Sequence, residues 1–416
     1  MANLVDGGFD HGLREIWQAQ FRDEVLGNIL PFWANHTLDH EHGGFYGGLT
    51  NDLTIHNEFP RSAVLCGRIL WTFACAYRML GDPRDLAVAE YAYAYLKQAF
   101  WDQTYGGLYW SIDANGQPLA DHKQTYAQSF AIYGLAEYVR ATGDQSALEL
   151  AQTLFHLIEN HAFDAVYGGY IEGCDRVWQP LGDSRLSKLE PEARKTMNTM
   201  LHMMEAYANL VRVWDVADVR QQLASLIEAC CEHIIDPVQG RFHLFFDDQW
   251  NHHEHGISYG HDIEGSWLLM EAAHVLGDAR LIAKTETLAL GMADAVYRNG
   301  RHADGSIIHE RAPDGSINLE RHWWPQAEAV VGFYNAYQAT GKPEFAQAAY
   351  DSWSFIQRYF IDHDHGDWFK ILDAQNQPLG AIPKVGPWEC PYHHARVCFE
   401  MIERLAEHNV SVQMRG

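Results

Sequence analysis

Along this chain, two kinds of hydrophobic pattern take turns. Stretches such as ILWTFACAYRML, from Ile69, and SWLLMEAAHVL, from Ser266, are apolar nearly all round a helical period, as a helix covered on both sides would be. KPEFAQAAYDSWSFIQRYF, from Lys342, keeps one polar face, as a helix open to water on one side does. Read this way, the sequence predicts twelve helices, over 10–34, 61–80, 84–100, 123–141, 144–161, 194–215, 217–235, 260–276, 279–298, 321–340, 343–361 and 390–409. The even-numbered ones suit an inner ring and the odd-numbered ones an outer ring.

Two repeating marks set the order of these helices. A Gly-rich stretch flanked by aromatics, usually behind an Asp, recurs with its first glycine at 43, 106, 168, 240, 305 and 366. Its copies read DHEHGGFYGG, DQTYGGLYW, DAVYGGYIE, DPVQGRFHLFF, ADGSIIHE and DHDHGDWFKI; with second turns such as DANGQPL they predict β-hairpins. The other mark is a tight turn: LGDPR at Leu80, TGDQS at Thr142, LGDAR at Leu276, TGKPE at Thr340 and a degenerate WDVADVR at Trp214. There glycine can end one helix in a left-handed conformation while Asp82, Asp144 or Asp278 caps the next. Helix, hairpin, helix, tight turn, six times over, is the order of an all-α (α/α)6 barrel: a twelve-helix double toroid with short β-hairpins at one end. An open solenoid of helix pairs is the competing arrangement. No linker interrupts the pattern, so residues 1–416 are expected to form one domain. The polar insert from Gln179 to Thr196 lengthens one hairpin loop and could cover the mouth of the barrel.

Composition narrows the partners. With 55 acidic against 30 basic residues the net charge is −25, which repels nucleic acid and anionic lipid surfaces. No secretory signal and no run of about 18 apolar residues is seen, so neither export nor a membrane span is expected. Seven cysteines without framework spacing read as reduced, buried thiols of a cytoplasmic protein. A monomer or weak dimer is expected.

Each hairpin leads into an inner helix, so the starts of the inner helices share one end of the barrel. There the sequence turns polar: Arg68; Tyr126 and Gln128; Asn198 and His202; His261, Asp262 and Glu264; Trp323, Trp324, Gln326 and Glu328; Trp388, Tyr392, His393 and Arg396, with Glu310 on the hairpin before helix 10. Polar groups are costly inside an apolar ring, so their convergence marks a binding funnel. Each has a plainer reading too: a lone buried His is commonly a satisfied core group, and Arg68 could pair with Glu264 or Glu328. Taken together, facing imidazoles suit proton abstraction and return near neutral pH, with Arg68, Asn198 and His202 as donors to an enediolate. No HExxH, CxxC or Cys/His array is present, so no metal is expected; His252, His253, His255, His363 and His365 read as exposed loop residues. GGFYGG is no dinucleotide fingerprint, since it precedes a hairpin rather than a helix. A glycoside hydrolase remains the rival, with Glu264 and Glu328 or Glu310 as its two carboxylates.

The segments RILWTFACAYR, YAQSFAIYGL, MNTMLHMMEAYANL, YGHDIEGSWLL, RHWWPQAEAVVGFYNAYQ and GPWECPYHHARVCFE carry a resemblance across nearly the whole chain. The sequence resembles the N-acylglucosamine 2-epimerase superfamily, and within it the cellobiose 2-epimerase family. That resemblance implies cofactor-free epimerisation at carbon 2 of the reducing-end sugar of a β-1,4-linked disaccharide, turning cellobiose into glucosyl-mannose and lactose into epilactose. It implies His261 and His393 as the acid/base pair. His202, with Arg68 and Asn198, would hold the oxygens at carbons 1 and 2. Tyr126, Glu264, Glu310, Trp324 and Glu328 would bind or orient sugar and histidines, and Trp388 would stack on the second sugar. The sequence departs from the family pattern at His394, where PYHN is usual, and at Gly386 and Pro387, where bulkier residues are expected. Both departures are expected to lie at the second sugar, which keeps open a mannose/glucose 2-epimerase or a mannose–fructose isomerase.

Overall fold

A computed structural model describes residues 11–413 other than residue 189. Helix α1 (11–36) runs His11–Glu24, passes through a π-helical turn Val25–Ile29 and ends as Leu30–His36. It is followed by α2 (Ala63–Leu80), α3 (83–100, with a π-turn Leu96–Phe100), α4 (Thr125–Thr142) and α5 (Gln145–His161). Then come α6 (Met197–Val211), α7 (217–234, with a π-turn Cys230–Ile234), α8 (Tyr259–Leu276) and α9 (Ala279–Asn299). The last three are α10 (Trp323–Thr340), α11 (Pro343–Tyr359) and α12 (Tyr392–Gln413).

The even-numbered helices pack each on the next, and α12 packs back on α2. The ring is therefore closed, and the open solenoid is excluded. Odd-numbered helices lie outside it, with α1 against α12. A Cβ on Gly67 would meet the Phe130 carbonyl oxygen at 2.9 Å, and one on Gly134 the Gly67 carbonyl oxygen at 2.6 Å. Helices α2 and α4 thus cross in backbone contact, where any side chain would force them apart. Among the described residues α2 alone is long and apolar enough to cross a membrane, and here it is an inner-ring helix with most of its surface covered.

The tight turns are built as their sequence implies. Gly81, Gly143, Gly277 and Gly341 adopt left-handed φ near the ends of α2, α4, α8 and α10. The carboxylates of Asp82, Asp144 and Asp278 accept the first free N–H groups of the helices that follow. At the other mouth, the two residues before five of the inner helices form a short strand; for α2, α4, α6 and α10 the spans above place them in the first turn instead. Arg61–Ser62 pairs with Ser111–Ile112, Lys123–Gln124 with Gly173–Cys174 and Lys195–Thr196 with Phe245–Phe246. Ile257–Ser258 pairs with Glu310–Arg311 and Arg321–His322 with Ile371–Leu372, while a Leu49–Val385 bridge joins the last hairpin to the first. This belt of hairpins ties the inner-helix starts together. Buried cations lock it: Arg61 to Asp39, Lys123 to Asp102 at 3.1 Å, Lys195 to Asp164 at 2.7 Å and Lys384 to Asp362 at 2.6 Å.

Candidate active site

Inside the belt a cavity of about 280 Å³ opens at the starts of the inner helices, lined by Arg68, Tyr126, Asn198, His202, His261, Glu264, Trp324, Trp388 and His393 among others. Arg68, His202, Glu264 and Glu328 are each the sixth residue of α2, α6, α8 and α10, so the same turn of four helices supplies them. Leu186, Ser187 and Glu190 of the long insert also line the cavity, which makes that insert part of its wall.

The indole of Trp324 packs against both proposed acid/base residues, its ring centre 4.7 Å from that of His261 and 5.6 Å from that of His393, and all three line the cavity. Both imidazoles therefore border one compartment. His261 has Nδ1 2.7 Å from the Ser258 hydroxyl; burial, with His202 and Arg68 nearby, pushes its pKa down to about 3. His393 has Nδ1 2.7 Å from a Glu328 carboxylate oxygen and 3.8 Å from Glu264. Glu328, not Glu264, is thus its orienting partner, and burial together with Arg68 and Arg396 holds the ring well below the usual histidine value. His202 meets Glu205 at 2.9 Å through Nδ1; burial outweighs that bond and takes it down to about 4.

A buried guanidinium organises the floor. Arg396 donates to Glu264 at 2.5 Å and Glu328 at 2.6 Å, and also to Glu205. Burial raises the Glu205 carboxyl, but Arg396 and the bonds from His202 and Tyr392 outweigh it and hold the pKa at about 2. Burial and the neighbouring Glu328 raise Glu264. The ligand atoms of Glu264, Glu328 and His393 lie close enough together to hold a metal ion, yet both carboxylates already share the Arg396 cation and His393 Nδ1 is engaged. The donor set does not suit a second cation.

Arg68 differs from Arg396. It is buried, its Nη2 donates to the Tyr126 hydroxyl at 2.9 Å, and it is sandwiched by the rings of Phe130 (4.2 Å) and Tyr392 (4.9 Å). Among the described residues no carboxylate pairs with it, so neither Glu264 nor Glu328 takes it as a structural partner. An uncompensated cation facing a cavity is where negative charge is stabilised most. The Asn198 side-chain oxygen and one Glu264 oxygen are likewise buried without partners.

Other expected residues fall elsewhere. Gln128 clasps the backbone N–H and C=O of Leu108, Gln326 those of Ile307, and Asp262 accepts from Phe242 N at 2.8 Å. All three turn outward to hold hairpins, because each hairpin leaves peptide groups that its two-residue strands cannot satisfy. Glu310 lies on an adjoining chamber of about 320 Å³ rather than in the catalytic cavity. Glu328 sits behind His393, in the floor. Trp388 lines the cavity 5.8 Å from the Tyr126 ring. His394 corrects the expectation that it borders a second sugar: it is fully buried away from the cavity, with Nε2 2.6 Å from Asp367 and its ring against Trp368. Consecutive residues of a helix cannot share a face, so His393 turns inward and His394 outward. Gly386 makes room for Glu389, whose carboxylate oxygen would lie 2.2 Å from a Cβ there; Glu389 itself lines the cavity. Reading the sequence missed Glu389, His309 and His322, which lie before inner helices rather than within their first turns.

The N-acylglucosamine 2-epimerase (GlcNAc 2-epimerase) family profile matches residues 43–396, nearly the whole barrel. The chain belongs to this family. A cellobiose 2-epimerase of Bacteroides fragilis is 44% identical over 389 residues, 93% of this chain and 99% of its own. One from Ruminococcus albus is 38% identical, covering 93% and 98%. The solved structure of cellobiose 2-epimerase from Bacillus thermoamylovorans superimposes with a TM-score of 0.89 at 39% identity, over 94% of this chain and 100% of that one. The fold is the (α/α)6 barrel, and the protein is an isomerase of the epimerase class.

Proposed function

We propose that the protein epimerises the reducing-end sugar of a β-1,4-linked disaccharide at carbon 2, converting cellobiose to glucosyl-mannose and lactose to epilactose. What carries this reading is the pair His261 and His393, both against Trp324 in one cavity that also holds Arg68 without a paired carboxylate. The opened aldose presents its carbonyl oxygen and the carbon 2 oxygen to Arg68 and His202. A neutral imidazole takes the proton from carbon 2; the electron pair of that C–H bond becomes the double bond between carbons 1 and 2, and the carbonyl π pair moves onto oxygen, giving a cis-enediolate. The partner imidazole, protonated as the substrate complex forms although burial opposes that charge in the free protein, returns a proton to the opposite face of carbon 2; the carbonyl re-forms and the first imidazole releases the proton it gained. Glu328 stabilises the imidazolium at His393, as a carboxylate behind a histidine does. No net oxidation or reduction takes place, since the product is an isomer of the substrate. Glycoside hydrolysis is disfavoured, because Glu264 and Glu328 share one guanidinium instead of flanking a bond. The seven unpaired, buried thiols favour a reducing compartment, the cytoplasm.

The test is incubation with cellobiose in deuterated buffer followed by NMR. Glucosyl-mannose with deuterium at carbon 2 is expected, unaffected by a chelator. His261→Ala and His393→Ala should each lose it. Free glucose without deuterium would point to hydrolysis, and full turnover in either variant would remove the assignment.

A further inference from the structure

Next to the catalytic histidines lies a second imidazole pair that epimerisation at carbon 2 does not use. His309, on the hairpin between α9 and α10, and His322, the residue before α10, stack face to face with ring centres 3.7 Å apart and planes inclined by 16°. Both line the catalytic cavity, and His309 also lines the adjoining chamber, so it stands where the two spaces join. Its ring meets Trp324 edge-on at 5.8 Å. The Nδ1 of His309 is buried without any hydrogen-bond partner. The Nε2 of His322 is buried too, its nearest carboxylate, Glu320, 3.6 Å away and beyond hydrogen-bonding distance.

A buried polar atom left without a partner costs free energy, so such atoms lining a cavity mark where a ligand supplies the missing bond. Resting on the disaccharide reading above, we propose that His309, held in place by His322, is a specificity residue whose Nδ1 takes a hydroxyl of the sugar ring that is not epimerised. The chemistry of the pair fits a neutral ligand. Burial, with His322 and His261 beside it, keeps His309 uncharged, and a neutral imidazole pairs with a hydroxyl as donor or acceptor. Stacking on His322 fixes the ring plane, which lowers the ordering cost when the hydroxyl arrives. His309 stands where the catalytic cavity meets the adjoining chamber, so a sugar ring extending into that chamber passes it while the other ring lies at Trp324.

The test pairs variants with substrate analogues. His309→Phe keeps the stack on His322 and removes the nitrogens; His322→Ala removes the support. Steady-state rates are measured on cellobiose and on its four monodeoxy analogues lacking one hydroxyl of the non-reducing ring. In the wild type one analogue should lose about tenfold in kcat/KM relative to cellobiose, the effect of one neutral hydrogen bond. His309→Phe should lose a similar factor on cellobiose, mainly through KM, and nothing further on that analogue. His322→Ala should weaken the same discrimination. The assignment is overturned if His309→Phe acts on cellobiose as the wild type does, if every analogue is penalised equally in variant and wild type, or if kcat alone falls, which would place the effect on His261. A wild type that leaves cellobiose unchanged would instead overturn the functional reading, and this assignment with it; that failure is seen without any variant.

Discussion

Burial and the guanidinium charges of Arg68 and Arg396 all oppose a proton on His393, whereas proton abstraction requires it to carry one briefly. The carboxylate of Glu328, 2.7 Å from Nδ1, answers that conflict: it fixes which nitrogen faces the cavity and offsets the charge as it forms. Glu328 lies behind His393 and does not line the cavity, so its contribution is separable. Glu328→Gln keeps the shape but removes the charge. We expect kcat to fall about 100-fold, within the usual range for support of general acid–base catalysis, with KM changed little. The circular dichroism spectrum should be that of the wild type. A variant with unchanged kcat would show that Glu328 serves only to neutralise Arg396.

The helices themselves follow from short-range signals, and those were legible. Gly143 ends α4 with φ 73°, and the Asp144 carboxylate accepts from Ser146 N at 2.7 Å and Ala147 N at 3.1 Å. Asp144→Ala should therefore cost about 1 kcal/mol, read as a lower urea midpoint at unchanged slope, and leave kcat untouched because the turn is at the far mouth. An unaltered midpoint would mean that water replaces the cap without cost. What the sequence did not disclose is non-local. The residues 61–62, 123–124, 195–196 and 321–322 continue the helical hydrophobic pattern, yet pair as strands with the next hairpin, a partner some fifty residues away that periodicity cannot see. A usable signal did exist: the cations Arg61, Lys123, Lys195 and Arg321 stand two residues before their helices, where a buried first turn would not tolerate them. The candidate site shows the same division. His202, His261 and His393 were readable from their place at helix starts, but the pairing of Arg396 with three carboxylates from α6, α8 and α10 depends on the closed ring.

Closing the ring aims six helix N-termini at one mouth, where their aligned peptide dipoles favour the negative charge of an enediolate. At the opposite mouth the C-termini gather Arg78, Arg140, Arg212 and Arg404 around a cavity of about 650 Å³, where they pair with Glu137, Glu271 and Glu400. The same burial that serves the catalytic mouth sets how stability varies with pH. His202, His261, His309, His322, His393 and His394 are all depressed, burial being the largest cause for each. Unfolded, they titrate near 6.5, so as the pH falls through that value the unfolded chain gains protons that the native chain refuses, and stability drops. Buried carboxyls act in the opposite sense: burial lifts Asp262 to about 8, and Glu172 and Glu400 to about 7. Those groups favour the native state while protonated, and their contribution is lost as the pH rises through 7 to 8. Below pH 6.5 the depressed imidazoles and the raised carboxyls, Glu264 among them, pull in opposite directions, and above 6.5 the carboxyls act alone. Thermal unfolding should thus show a Tm that falls from pH 6.5 to pH 8.5. A Tm that stays level from 6.5 up to 8.5 would mean that these carboxyls ionise in the folded protein as readily as in the unfolded one, which their burial opposes.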